Sequence, residues 1–229
     1  MKNIALAAAL TLFLAPAAHA TNTLTFAATD IGQGYAVTFS GITDSYQNHL
    51  VALPGLNAKV VILLKSITAN SWTFDYAVAN TSGANVTSSR ISVFGFDVDP
   101  DVTGKSSTGL FGSPSSGNVP ILGRREVCFR TGNGGQCAGG GGGGVKIGDA
   151  AAAGTFTLTF QLSQTAVDLK RLFVRYQSLT SPNDRIAGAS GVGEATGVAA
   201  VPEPQTWAML IAGFGLVGGA LRRRRVAVA

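Results

Sequence analysis

Trp72, Phe74, Tyr76 and Val78 alternate with Thr73, Asp75 and Ala77, and Phe156, Leu158, Phe160 and Leu162 alternate with Thr157, Thr159 and Gln161. A helix brings its apolar positions round every three or four residues, so a strict period of two over seven residues predicts strands with one buried face. Tyr35, Val37 and Phe39, then Ile91 and Val93, then Leu172, Val174 and Tyr176 repeat the alternation. The unbroken apolar run 60–64 reads as a strand covered on both faces. No long segment has helical periodicity, and only 44–51 and 163–170 leave room for a short helical turn. The expected fold is all-β, a sandwich-like antiparallel domain over residues 21–180.

Stretches 80–85, 104–120, 131–144 and 181–197 are rich in Gly, Ser, Asn and Pro, residues that supply sharp reversals and left-handed backbone between strands. The last of them predicts a flexible linker over 181–200, joining the folded unit to the tail. A chain of this size hides about 70% of its unfolded surface, enough for one core.

Two cysteines occur, Cys128 and Cys137. A bond between them closes a loop of about ten residues, for which the chain-entropy argument gives on the order of 2.5–3 kcal/mol. The alternatives are two free thiols or metal ligation, but the sequence has no C-x-x-C and one histidine, His49, beyond position 20, too few ligands for a closed zinc site. The glycine run 139–144 lacks the Lys and Ser/Thr of a phosphate loop and reads as a surface loop. Asp97, Asp99 and Asp101 place hard oxygen donors on alternate residues, which suits calcium, the candidate cofactor here. An EF-hand match fails at Val102 and Thr108, and the competing reading is a strand that ends at Pro100 with solvated acids. No G-x-S-x-G elbow and no H-E-x-x-H is present, and no pair among the scattered carboxylates stands out for glycoside hydrolysis, so no catalytic residue is assigned.

Both termini carry topological signals. Lys2 precedes an apolar stretch over 4–14, and Ala18-His19-Ala20 supplies the small residues at which signal peptidase cuts, so 1–20 reads as a signal peptide. At the other end, 201–229 places Val201-Pro202-Glu203-Pro204 before an uncharged run from Trp207 to Leu221 and then Arg222, Arg223, Arg224 and Arg225. At about 1.5 Å per residue the 15-residue run spans roughly 22 Å as a helix, short of a hydrocarbon core of about 30 Å. Trp207 suits one interface, and arginines snorkelling at the other lengthen the span. The four arginines act as a basic stop that stays cytoplasmic, leaving the residues before Pro202 on the far side. Gly213, Gly215 and Gly218 fit a G-x-G-x-x-G spacing without the preceding strand that a dinucleotide site requires, whereas Gly215 and Gly219 permit close approach of a second membrane helix. Lys2, the tail arginines and Glu203 together account for most of the net charge of +5, and residues 21–201 are left near +1. The basic pI therefore points to no nucleic acid, and Arg124-Arg125 and Lys170-Arg171 read as solvated pairs.

The order Pro-Glu-Pro, apolar run and arginine cluster resembles the PEP-CTERM sorting signal of exosortase substrates. Ser89-Arg90-Ile91, Gly95-Phe96-Asp97, Asp99-Pro100, the Cys128/Cys137 pair beside polyglycine and Arg175-Tyr176-Gln177-Ser178 resemble the cistern family of PEP-CTERM proteins over most of 24–201. The resemblance implies export by signal peptidase and exosortase, an inner-membrane-tethered precursor, recognition at Pro202, Glu203 and Pro204, a cell-surface or extracellular destination, and exopolysaccharide as a candidate partner. The function it implies is a structural or adhesive role in the biofilm matrix, with a carbohydrate-binding or carbohydrate-cleaving exoprotein as the alternative.

Overall fold

The computed structural model describes residues 23–46, 49–132, 136–139, 142–183 and 186–201. The signal peptide, Pro202-Glu203-Pro204, the membrane helix expected over 207–221 and the arginine stop all lie outside the described residues. Among the described residues no helix is long and apolar enough to cross a membrane.

The strands are β1 (Thr23–Ala27), β2 (Gly34–Tyr46), β3 (His49–Thr68), β4 (Ser71–Asn80), β5 (Ser88–Asp99), β6 (Gly104–Ser107), β7 (Ser113–Val119), β8 (Gly123–Arg130), β9 (Val145–Lys146), β10 (Ala152–Thr159), β11 (Ala166–Ser181) and β12 (Ile186–Val201). They form one antiparallel 12-stranded sheet in the order β6-β10-β4-β3-β2-β12-β11-β5-β8-β7, with β1 also on β11 and β9 on β5.

The all-β antiparallel expectation is met, but the two-sheet sandwich gives way to a single sheet nearly closed into a barrel. Long strands make this possible. β2, β3, β11 and β12 run for 13, 20, 16 and 16 residues. Their pairing register shifts at Ser40/Ile42, Tyr176/Leu179 and Ala195/Gly197. Such irregularities bend a strand and sharpen its twist, so a strand turns the corner that two sheets would leave open. The two halves then face each other. Phe26 of β1 meets Phe74 of β4 at 5.1 Å, Tyr76 meets Phe94 of β5 at 5.0 Å, and Phe156 of β10 stacks on Phe129 of β8 at 4.9 Å. At the seam the Lys105 ammonium of β6, one end of the strand path, donates at 2.9 Å to the Glu126 carbonyl of β8, next to the other end.

β4 carries the expected pattern, with Trp72, Phe74, Tyr76 and Val78 buried. The strand β10 ends at Thr159 but the alternation holds through buried Phe160, whereas Leu162, also expected to be buried, is 72% exposed in the following loop. The strands buried on both faces are β5, from Ile91 to Phe96, and β11, from Leu172 to Tyr176, and not 60–64, where Val61 and Leu63 are only half-covered. β2 runs to Tyr46, β3 begins at His49 and β11 begins at Ala166, so the described residues of 44–51 and 163–170 hold no helical turn.

The stretch read as a linker is largely β12, paired with β11 on one edge and β2 on the other. Its small residues make room for large neighbours. A Cβ on Gly193 would lie 2.8 Å from Val174 Cγ2 and 3.0 Å from Tyr176 Cε2. Composition that signals flexibility in an isolated peptide here serves close strand packing.

Candidate functional site

The chain reaches the sorting signal without slack. β12 keeps its register with β2 to the last described residue, Ala200 opposite Tyr35 and Val201 opposite Gly34, and the next residue is Pro202. Beyond Glu194 it has left β11, whose lower half pairs with β1 instead. The final residues of β12 are thus held on one edge, and much of their surface is open. Proline lacks an N–H and restricts the residue before it to extended backbone, so Pro202 is a natural end to the strand.

Residues 200–225 match the family described as the PEP-CTERM protein-sorting motif. This chain carries an exosortase sorting signal. The motif begins two residues inside the last strand of the barrel and includes Pro202, Glu203, Pro204, Trp207, Gly215, Gly219 and all four arginines. It marks an exported protein sorted by exosortase. The match does not extend to the resemblance of 24–201 to the cistern family. No curated protein and no solved structure matches the chain.

The disulfide is formed between Cys128 and Cys137, with Cα atoms 5.7 Å apart. It pins residues 136–139 over the outer face of β5 and β11, where Val93, Val119, Cys128, Cys137, Phe173 and Val192 make a second, smaller apolar cluster. The polar rim of this cover is Arg175, nearly fully buried. Its guanidinium donates to the Ala138 carbonyl at 2.9 Å, the Gly191 carbonyl at 3.1 Å and Ser190 Oγ at 3.0 Å, binding the loop to β12. Gly139 fits because a Cβ there would lie 2.8 Å from Ser92 Oγ.

Asp97, Asp99 and Asp101 are not brought together. Asp97 accepts the Glu126 N–H at 2.9 Å and pairs with Arg171 at 3.0 Å, while Asp99 pairs with Lys170 and Asp101 is exposed. Among the described residues no three His, Cys, Asp or Glu side chains are placed to hold a metal ion. Asp97 and Glu126 face an open cleft of about 440 Å³ with Lys105, Arg124 and Arg171. Both Glu126 oxygens accept main-chain N–H groups, of Val98 at 3.1 Å and Val102 at 2.9 Å. Burial pushes the Lys105 ammonium below its ordinary pKa, partly offset by Glu126. The pair Arg124-Arg125 is not uniformly solvated: Arg125 is 3% exposed, lies over the Phe173 ring and donates to the Leu122 and Arg171 carbonyls. Burial pushes its pKa down, with Arg171 adding to the effect.

A second cleft of about 450 Å³ is lined by Thr87, Ser88, Ser89, Arg90, Lys146 and Ser178 among others. The Arg90 guanidinium spans it, donating to the Gly143 carbonyl and to Ser178 Oγ.

The outer face of β4 and β10 carries hydroxyls in rows. Ser71 and Thr159 Oγ atoms lie 3.2 Å apart, Thr73 and Thr157 3.0 Å, and Thr155 and Thr108 2.9 Å. Ser106 of β6 continues the Thr73–Thr157 row. The sequence held this signal in the polar half of the alternation, but only the strand order shows which rows adjoin.

Proposed function

We propose that the protein is a structural or adhesive component of the extracellular polysaccharide matrix, delivered as a membrane-held precursor and sorted by exosortase. The observation that supports the matrix role is the hydroxyl face of β4, β10 and β6. Its strands lie about 4.8 Å apart and same-face residues about 6.7 Å apart along each strand. Such a surface offers donors and acceptors to a hydroxylated polymer at many points, each weak, and suits lateral adhesion better than capture of one sugar in a pocket. The exposed large apolar residues among those described, Ile31, Leu110, Ile121 and Leu162, are aliphatic and not sugar-stacking aromatics.

The carbohydrate-binding alternative has one observation in its favour, the cleft with Arg90, Lys146 and four Ser and Thr residues. Affinity electrophoresis of the secreted protein through exopolysaccharide from the producing cells separates the two readings. In the adhesive reading, Thr73→Lys with Thr157→Lys abolishes retardation and Lys146→Ala leaves it unchanged; the opposite pattern favours the cleft. Retardation absent in the parent protein and in every variant would remove both.

Sorting has its own test. Glu203→Ala is expected to leave the precursor membrane-bound and uncut, and replacing Arg222, Arg223, Arg224 and Arg225 by serine to weaken retention. Mature surface protein that still carries the peptide 207–229 by mass spectrometry would overturn release by cleavage.

A further inference from the structure

Val201 is still hydrogen-bonded into the sheet opposite Gly34, and the uncharged run of the sorting motif starts at Trp207. Six Cα–Cα steps separate them. Whatever the conformation of the intervening residues, that connection reaches at most about 22 Å. Once the apolar run is in the bilayer, the barrel has very little freedom to stand away from it.

The end of the barrel at which β12 finishes is well defined. Gly34 opens β2 there with Leu63 of β3 beside it, and β3 runs on to Thr68 before β4 begins at Ser71, opposite Thr159 where β10 finishes. Three connections close this end and are tied to one another or to the strands. Ala28 N–H donates to the Thr165 carbonyl at 2.8 Å, Gly32 N–H to the Leu64 carbonyl at 2.8 Å, and Phe160 N–H to the Asn70 carbonyl at 2.9 Å. Two of these loops expose an aliphatic side chain, Ile31 at 53% and Leu162 at 72%. Neither chain position needs an apolar residue for packing; both would gain from a lipid headgroup interface.

We propose that in the membrane-held precursor this end of the barrel is seated on the phospholipid surface, with Ile31 and Leu162 entering the headgroup layer, so that Pro202-Glu203-Pro204 is presented between the folded barrel and the bilayer. The short connection supplies proximity and the two aliphatic residues supply orientation. The proposal rests on the reading of 207–221 as the membrane-inserted part of the motif. The opposite end, where residues 81–87 join β4 to β5, points away; the ten residues of β4 separate the two ends by about 33 Å.

The test uses the full-length precursor carrying an environment-sensitive fluorophore on Leu162→Cys or, as the distal control, on Ala84→Cys. The precursor is reconstituted without exosortase into vesicles of phosphatidylethanolamine and phosphatidylglycerol that contain a headgroup nitroxide quencher. Quenching several-fold greater at position 162 than at 84 is expected, falling to the distal level when twenty Gly/Ser residues are inserted after Val201. Equal quenching at both positions overturns the proposal, since the barrel then lies on its side or stands free. Quenching at 162 that survives the insertion overturns it as well, as does quenching that appears only when exosortase is added, which makes the enzyme the occupant of this surface. A precursor that fails to float with the vesicles overturns the membrane reading of the tail together with this proposal, whereas one that floats with an unquenched label overturns this proposal alone.

Discussion

At Gly95 the main chain of β5 has no room for a methyl group: a Cβ would lie 2.4 Å from the Val127 carbonyl oxygen and 2.9 Å from the Cys128 Cα, both backbone atoms of the neighbouring strand. Gly95→Ala should therefore cost about 1–3 kcal/mol, the range for overpacked cores, read as a lower urea midpoint at unchanged slope. Two tyrosines show how partners decide the worth of a buried hydroxyl. Tyr76 Oη donates to the Thr108 carbonyl at 2.7 Å and accepts the Phe111 N–H at 3.3 Å, whereas Tyr176 Oη, fully buried, has no hydrogen-bond partner among the described residues. Tyr76→Phe leaves the Phe111 N–H unpaired and the Thr108 carbonyl with only Ser107 Oγ at 3.4 Å, and should destabilise by about 1–3 kcal/mol, while Tyr176→Phe should be neutral or stabilising at pH 7. Burial raises the Tyr176 pKa far above its ordinary value. The hydroxyl is neutral in both states below about pH 10, and above it the unfolded chain alone ionises. Stability should thus fall as pH rises past 10, and Tyr176→Phe should flatten that fall in chemical denaturation measured from pH 8 to 11.

Among the elements, β4 was legible in full because its inward residues are large and its outward ones polar. β12 was not legible, because packing against Tyr176 and Val174 demands glycine and alanine there, and those residues carry no periodicity. The disulfide followed from two cysteines and a short spacing. The role of the bridged loop, as cover for a second apolar cluster on the outside of β5, depends on strand neighbours far apart in sequence. Asp97 and Asp99 lie on successive same-face positions of β5, as alternation required, but Arg171 and Lys170 come from β11, a pairing that no local pattern shows. Two measurements follow at this scale. Amides of 191–194, which lie between β11 and β2, should exchange as slowly as those of β2, which is likewise paired on both edges; exchange within seconds would restore the linker. Millimolar calcium should leave the thermal midpoint unchanged, and a rise that Asp99→Ala removes would reinstate the metal.

Over the whole molecule, aromatic contacts link β1, β4, β5, β8 and β10 into one core, with Phe156 touching Phe74, Phe94, Phe96 and Phe129. A single core predicts one cooperative transition, with near-UV and far-UV circular dichroism coinciding on heating; separated transitions would mean that the halves melt independently. The same connectivity sets an order of events. β2 is among the first strands made, yet the partner on one of its edges is β12, with Gly191 opposite Thr43 across about 150 positions of chain. Pairings so remote close slowly, and an unpaired edge is exposed to wrong partners meanwhile. β2 must therefore wait, open, until nearly all of the polypeptide has been secreted. The strand that ends the wait is the one fused to the sorting signal, so arrival of the signal at the membrane coincides with the moment at which the barrel acquires its last component.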